Sequence, residues 1–403
     1  MNPRDKKWRV LVVHGYYQQR GGEDTVFETE TAAMEDAGWA VDRLVGRNDD
    51  LEGLPKHVLA AKSVWNREWE RKVRDRIREF RPEIVHFHNT FPMISPSAIW
   101  TAKREGVPVV QTLHNFRLGC LNGVLFRDGE VCTDCLGRTP LLGVRRGCYR
   151  GRSASAVAAV GLQTHRLIGT YRHIVDRFIV LTEASKELYL QMGLPAEKLV
   201  VKPNFLYPDP PIGSGQGGYA MFAGRLSVEK GIHVLLKTWR SDPRLPLLKI
   251  VGDGPVRSDV DAAAKELPNL EVLGARPREE VAELLRGAEC LVMPSVWYEG
   301  CPMVMVEALA SGTPVVASDF PTLRELIGDS GEFFAAGDSA GLSEAIRSNF
   351  SHNRRQSARQ RHQSLFSAAS SLERLGALYA ELYVASPNTI KEDQAMTPQE
   401  NSH

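Results

Sequence analysis

Two carboxylates eight residues apart, Glu299 and Glu307, stand in the segment PSVWYEGCPMVMVE, residues 294–307. Glu299 falls in a glycine-bearing loop. Glu307 falls inside an apolar run, among Val304, Met305, Val306, Ala308 and Leu309, that predicts a helix from about Met303. An acid in a mostly buried helix needs a polar reason to be there. The first amides of a helix have no intrahelical partner and sit at its positive end, so the backbone around Pro302, Met303 and Val304 suits an anion or a polar oxygen. A carboxylate in the preceding loop can accept hydrogen bonds from sugar hydroxyls, and one a turn into the helix can reach a ribose. The competing reading makes Glu307 a surface or capping carboxylate.

Two further segments have the same strand–turn–helix form. YAMFAGRLSVEKG, residues 219–231, ends an apolar strand in Gly224-Arg225 and opens a helix after Lys230-Gly231. Glycine lets a ligand come close to backbone, while Arg225 offers a planar fork and Lys230 a point charge, a combination suited to a diphosphate. Two solvated cations in a capping loop are the alternative. IVGDGP, residues 250–255, ends another strand in a turn carrying Gly252 and Gly254, weak evidence alone because such turns are common loop chemistry. In the first half, Gln19–Glu23 (QRGGE) follows the first apolar strand, and its Gly21 and Gly22 would allow close backbone approach. His114 ends a later strand, with His86 and His88 ending the one before it.

These turns need sheets to hold them. Runs of strand length alternate with helical patterns: strands are predicted at 8–13, 39–45, 83–88, 107–113 and 177–181, then at 219–223, 247–251, 270–273, 290–293 and 314–317. Alternation of this kind implies parallel sheets covered by helices on both faces. The stretch YPDPPIGSGQGG, residues 207–218, has the proline and glycine content of a linker. The expected fold class is therefore α/β, two Rossmann-like parallel-sheet domains facing each other across a cleft. The domains expected are 1–204, a linker at 205–217, a second domain at 218–366, a helix at 367–385 returning toward the first domain, and a disordered polar tail at 386–403. Open parallel sheets bind ligands beyond the carboxyl ends of their strands, which places the site in the cleft.

Gly224-Arg225, Lys230, Gly252-Asp253-Gly254-Pro255 and the Glu299…Glu307 pair, in this order and spacing, resemble the retaining glycosyltransferases of family 4, which have the GT-B architecture. The resemblance is specific over 219–335 and weaker over 8–200. It implies that Arg225 and Lys230 hold the diphosphate of a nucleotide-sugar donor, that Glu299 meets sugar hydroxyls and Glu307 the ribose, and that Gly21 and Gly22 face the donor phosphate and acceptor. It also implies a role for His114 on the donor sugar. The family often follows that histidine with aspartate, and this chain has Asn115 instead. The implied activity is transfer of a hexose-type sugar from a UDP- or GDP-linked donor to a hydroxyl of a glycan or lipid-linked acceptor, in surface polysaccharide synthesis, with the leaving diphosphate helping to deprotonate the acceptor. The competing classes are a nucleotide-sugar epimerase of the same fold and a non-catalytic sugar-nucleotide-binding protein. A dehydrogenase is disfavoured, since no Gly-x-Gly-x-x-Gly follows the first strand.

No metal or other cofactor is expected in catalysis: the only Asp-x-Asp, Asp259-Val260-Asp261, falls in a predicted helix, where residues two apart do not face each other. A structural metal is another matter. Cys120, Cys132, Cys135 and Cys148 cluster in a segment, about 116–152, rich in Gly and Arg and without clear period. Four thiols built around a Cys-x2-Cys knuckle read as a candidate structural zinc site, the alternative being free thiols or labile disulfides.

Bulk composition adds little. The net charge is +1 over 403 residues, so no nucleic-acid partner is expected. Residues 1–200 carry 30 Lys+Arg and 24 Asp+Glu, giving +6, and the rest 20 and 25, giving −5. The basic half, with Trp65, Trp69 and the cations of a predicted helix at 64–80, suggests peripheral contact with the inner membrane surface. A solvated helix is the plainer reading. No secretory signal or run of about 18 apolar residues is present, so a cytoplasmic location is expected.

Overall fold

The computed structural model describes residues 6–18, 21–51, 53–351 and 354–385. Gln19 and Arg20 of the glycine-rich loop, and the tail predicted to be disordered, lie outside them.

Two six-stranded parallel sheets organise the chain. The first is built from β1 (Arg9–Tyr16), β2 (Ala40–Arg47), β3 (Ile84–Phe87), β4 (Val109–Thr112), β7 (Arg177–Val180) and β8 (Leu199–Val201), in the order β2-β1-β3-β4-β7-β8. A small antiparallel hairpin, β5 (Phe126–Arg127) and β6 (Glu130–Val131), lies apart from it. The second sheet contains β9 (Tyr219–Ala223), β10 (Leu247–Val251), β11 (Leu270–Gly274), β12 (Cys290–Met293), β13 (Val315–Ser318) and β14 (Gly331–Phe334), in the order β11-β10-β9-β12-β13-β14. Strand order reverses at β1/β3 in one sheet and at β9/β12 in the other, the switch points where loops diverge and leave a crevice.

The strands read as continuous apolar runs because both faces are covered. On β1, Leu11 and Val13 pack into one core, while Val10 and Val12 pack into another on the opposite face. On β9, Met221 and Phe222 likewise enter different cores. The last helix, Ala368–Val384, closes one face of the first sheet, where Leu375, Tyr379 and Leu382 pack with Trp8 and Trp39. The linker is not a free spacer. Gly213, Gly215 and Gly217 donate backbone hydrogen bonds to Ser311, Arg286 and Gly287, tying it to the second domain.

The helix predicted at 64–80 begins at Arg67 and runs to Phe80, and a separate helix that the sequence reading does not anticipate, Lys56–Val64, precedes it. Asn66 separates them: its side chain accepts from the amides of Glu68 and Trp69, a start signal inside a run that reads as helical throughout. Trp69 is buried in the core, Arg76 pairs with Asp42 and Arg78 with Glu105, so the second helix has a core face and an ion-paired face. The segment 116–152 is better anchored than its composition predicts. Phe116, Leu121 and Leu125 are buried in the core of the first domain.

Candidate functional site

The two sheets present their carboxyl ends to a shared cleft of about 1680 Å³. From the second domain come Gly224 and Arg225 after β9, Lys230 in the following turn, and the loop after β12 that carries Trp297 and Glu299 and runs through Pro302 into the helix Met303–Ala310. From the first come Gly21 and Gly22, at the start of the helix Gly22–Asp36, and His114 after β4.

Backbone geometry explains how the donor-side loops nest. Gly231 has φ +72°, and a Cβ there would fall 1.8 Å from the Pro294 carbonyl oxygen, so only glycine lets the Lys230 turn pack against the Glu299 loop. A Cβ on Gly252 would meet the Gly224 carbonyl at 1.9 Å. The 252–254 turn therefore supports the Gly224-Arg225 turn from behind, and neither Gly252 nor Gly254 lines the cavity.

The charged groups are not equivalent. Arg225 is exposed, with no hydrogen bond or ion pair among the described residues. Lys230 Nζ donates to Glu299 Oε1 at 2.7 Å, and the Ser295 hydroxyl donates to the same oxygen at 2.7 Å. Glu299 is only 4% exposed, so it depends on these two partners. Met303 and Val304, the first residues of their helix, line the cleft, and their amides have no partner among the described residues. An exposed arginine, an ammonium and free helix amides together make a place for a diphosphate.

Glu307 faces elsewhere. Its Oε1 accepts from Arg278 Nε at 3.2 Å, and it does not line the cavity. Burial pushes its pKa up, opposed by that arginine. The polar reason for an acid in this helix is thus Arg278, from a neighbouring helix.

On the first domain, His114 Nε2 lies 3.0 Å from His88 Nδ1, with the rings stacked. Asn115, where the family often has aspartate, donates to Glu23 Oε1 at 2.7 Å. Glu23 lines the cleft beside Gly22, its Oε2 is buried without a partner among the described residues, and burial raises its pKa despite the Asn115 hydrogen bond. Glu23 and Trp297 both belong to the lining, yet no sequence spacing singles them out. Glu23 meets Asn115 only because β1 and β4 end at the same sheet edge.

Of the other histidines in this region, His86 and His88 are interior. They surround Glu30, whose carboxylate accepts from Lys202 Nζ at 2.8 Å. Burial opposes the charge on Glu30, but Lys202 and the histidines hold its pKa well below the ordinary carboxylate range. Glu30, His86 and His88 are also the only set of three His, Cys, Asp or Glu ligand atoms within 4.8 Å of one another among the described residues. The ammonium already on Glu30 makes this a poor cation site. No three of the sulfurs of Cys120, Cys132, Cys135 and Cys148 lie within that distance of one another. They still lie near one another: burial, with neighbouring cysteines adding to it, raises the pKa of Cys135 and of Cys148.

Burial lowers the pKa of His86 to about 3 and also lowers that of His88. Unfolded, each would titrate near 6.5. The folded state thus binds fewer protons below that value. Stability from these residues is complete above about pH 6.5 and is lost as pH falls toward the folded pKa, at up to about 1.4 kcal/mol per pH unit for His86, with His88 adding in the same direction. Urea unfolding midpoints are expected to fall steadily from pH 7 to pH 5. A midpoint flat across that range would mean that these rings are charged in the native state.

Comparison with known proteins agrees with this architecture. Residues 6–204 match the glycosyl transferase 4-like domain and residues 217–352 the glycosyl transferases group 1 model. The chain is 26% identical over 278 residues to TuaC of Bacillus subtilis, a glycosyltransferase named for teichuronic acid biosynthesis, covering 67% of this chain and 61% of that relative. It is 26% identical over 339 residues to a glycogen synthase of Mycobacterium tuberculosis, covering 80% and 73%. Among solved structures, sucrose-phosphate synthase from Thermosynechococcus elongatus superposes with a TM-score of 0.69 at 17% identity, covering 94% of this chain and 100% of that one. HepE of Anabaena, in complex with UDP, superposes with a TM-score of 0.62 at 16% identity, covering 93% and 100%. Among the described residues no helix is long and apolar enough to cross a membrane. With two parallel sheets opposed across a cleft and family matches over both halves, the chain belongs to the group 1, family 4-like glycosyltransferases of GT-B fold.

Proposed function

We propose that this protein is a retaining glycosyltransferase that moves a hexose-type sugar from a UDP- or GDP-linked donor to a hydroxyl of a glycan or lipid-linked acceptor during surface polysaccharide synthesis. The observation that carries the reading is the unpaired Arg225 beside Lys230 and the free amides of Met303 and Val304. HepE binds UDP in a structure of similar fold, and TuaC is named for a surface polymer, which supports the donor class and the pathway.

In this reading the acceptor oxygen attacks the anomeric carbon on the face from which the diphosphate departs. The carbon–oxygen bond to the diphosphate breaks as the new glycosidic bond forms, and the acceptor's proton passes to the departing diphosphate oxygen. Arg225, Lys230 and the helix amides stabilise the charge that develops there. Glu299 orients sugar hydroxyls. Glu307 would reach the ribose by turning from Arg278. The acceptor approaches over Gly21, Gly22 and Glu23. Contact with an anionic membrane surface would fall to the first domain, where Leu141, Val160 and Leu167 are exposed on the helices bearing Arg145, Arg146 and Arg152.

Thermal shift against UDP, GDP and their sugars tests the donor site. At a hundredfold excess over Kd, one nucleotide series should stabilise the wild type by about 3 kcal/mol, with the effect much reduced in Arg225→Ala and Glu307→Ala. Sugar transfer is then assayed with that donor on free glycans and on anionic vesicles carrying lipid-linked acceptors. A folded wild type that responds to no nucleotide ends this reading.

We also propose that Cys120, Cys132, Cys135 and Cys148 hold a structural zinc. Four thiols suit that ion in kind and number, and zinc would favour the thiolates that burial disfavours. Elemental analysis of protein purified without chelator should find about one zinc per chain, lost along with several degrees of Tm in Cys135→Ser. Metal-free protein with the wild-type Tm would exclude the site.

A further inference from the structure

Next to His114 lies a buried group of ionisable side chains that the transfer chemistry does not touch, one of which, His88, lines a smaller cavity together with His114. Glu30 is 1% exposed, His86 0%, and His88 and Lys202 3% each. The distances among them leave little freedom for the protons. Lys202 Nζ donates to Glu30 Oε2 at 2.8 Å. The other carboxylate oxygen, Oε1, lies 3.3 Å from His88 Nε2 and 3.4 Å from His86 Nδ1. His86 is already occupied: its Nδ1 is 2.8 Å from the Tyr379 hydroxyl and its Nε2 2.8 Å from the Thr112 hydroxyl. Neither Glu30 Oε1 nor His88 Nε2 has a well-aligned hydrogen bond among the described residues, so each is the other's nearest polar neighbour without being a formed pair.

An ionised carboxylate only accepts, so the ring nitrogen 3.3 Å from it, His88 Nε2, is the one that carries the hydrogen. A neutral imidazole carries one N–H, which leaves His88 Nδ1 as a lone pair. The atom 3.0 Å from that lone pair is His114 Nε2, which must then carry the hydrogen. The reverse arrangement would set the His88 Nε2 lone pair against a carboxylate oxygen 3.3 Å away, too close for a water to come between, the costly case of buried polar atoms left unsatisfied. The depressed pKa values of His88 and His114, set chiefly by burial, agree with both rings being neutral.

We propose that Glu30, anchored by Lys202, fixes the tautomer of His114 through His88, so that His114 presents an Nδ1 lone pair to the cleft as a hydrogen-bond acceptor. Nδ1 of His114 has no partner among the described residues, and the residue lines the cavity. Glu30 and His88 are then positioning residues, and His114 selects a ligand group that donates: a hydroxyl, and not a phosphate oxygen. That the hydroxyl belongs to the donor sugar rests on the function proposed above. The tautomer does not.

The experiment is a long-range ¹H–¹⁵N correlation spectrum of histidine-labelled protein at pH 7.5 without ligand, with His114 assigned by its loss in His114→Gln. The expected pattern has a protonated Nε2 and a bare Nδ1. A protonated Nδ1 or an imidazolium overturns the proposal, and the wild-type spectrum alone decides, so a Glu30→Gln protein that failed to fold would not weaken the test. In a folded Glu30→Gln, the preference at His114 should relax and kcat/KM fall about tenfold with nucleotide Kd unchanged, the scale of one neutral hydrogen bond. Retention of the wild-type tautomer in that variant removes Glu30 from the relay. Donors with single hydroxyls replaced by methoxy groups then locate the partner. If the tautomer is as described but no replacement lowers turnover, the relay stands and the donor-sugar role of His114 falls.

Discussion

Lys230→Ala is expected to lower kcat by about 10²–10³-fold, the scale of one lost donor to a developing oxyanion. The ammonium has two duties. It lies beside the space assigned to the diphosphate, and it is 2.7 Å from Glu299 Oε1. Without it, Glu299, 4% exposed, keeps only the Ser295 hydroxyl, and its carboxylate must take up a proton or water. Either change would disturb the grip on sugar hydroxyls proposed for Glu299, so the loss should exceed what a phosphate contact alone explains. Lys230→Arg should recover part of the activity, because it keeps the charge but not the shape. Steady-state kinetics beside nucleotide binding separate the effects: kcat should fall far more than nucleotide affinity. A Lys230→Ala enzyme within threefold of wild-type kcat would remove Lys230 from the transition state.

Lys202→Met is expected to destabilise the protein by about 3–5 kcal/mol, the usual cost of stranding one partner of a buried ion pair. Lys202 and Glu30 are 3% and 1% exposed, and among the described residues Lys202 supplies the only ammonium or guanidinium hydrogen-bonded to Glu30, while burial lowers the pKa of both His86 and His88. For a domain of about 200 residues this corresponds to a fall in Tm of roughly 6–20 °C. The double variant Lys202→Met, Glu30→Leu should recover much of the loss, because it strands no charge. Calorimetry of the three proteins tests this. A single variant that melts within 2 °C of wild type would mean that water reaches Glu30. The two substitutions also separate stability from chemistry, for Lys230→Ala acts in the cleft while Lys202→Met acts in the interior.

Much of the fold was legible in the sequence because its signals are local. β9, β10 and β12 and the helix Met303–Ala310 coincide with the apolar runs that predict them. A strand buried on both faces needs a continuous apolar run, and a linker needs residues that break one. The missed elements are short or weakly patterned. β8 has three residues and β14 begins at a glycine, while the helix Pro321–Ile327 is only seven residues long and Arg355–Leu365 lacks a clear apolar stripe. The break at Asn66 was hidden because charged helix-forming residues follow it directly.

By itself, the sequence determined the alternation of strands and helices, the turns that carry Arg225, Lys230 and Glu299, and their place at strand ends. Those properties follow from hydrophobic period and from glycine at fixed offsets, which neighbouring residues impose on one another. Tertiary structure decided the partners. It set Lys230 on Glu299, 69 residues away, gave Glu307 to Arg278, left Arg225 without a partner among the described residues, and joined Glu30 to Lys202 across 172 residues. Pairing of this kind depends on which loops a sheet brings to one edge and on which charges burial forces together. No local spacing encodes it, since the free energy of a buried charge is set by whatever packs against it from the rest of the chain.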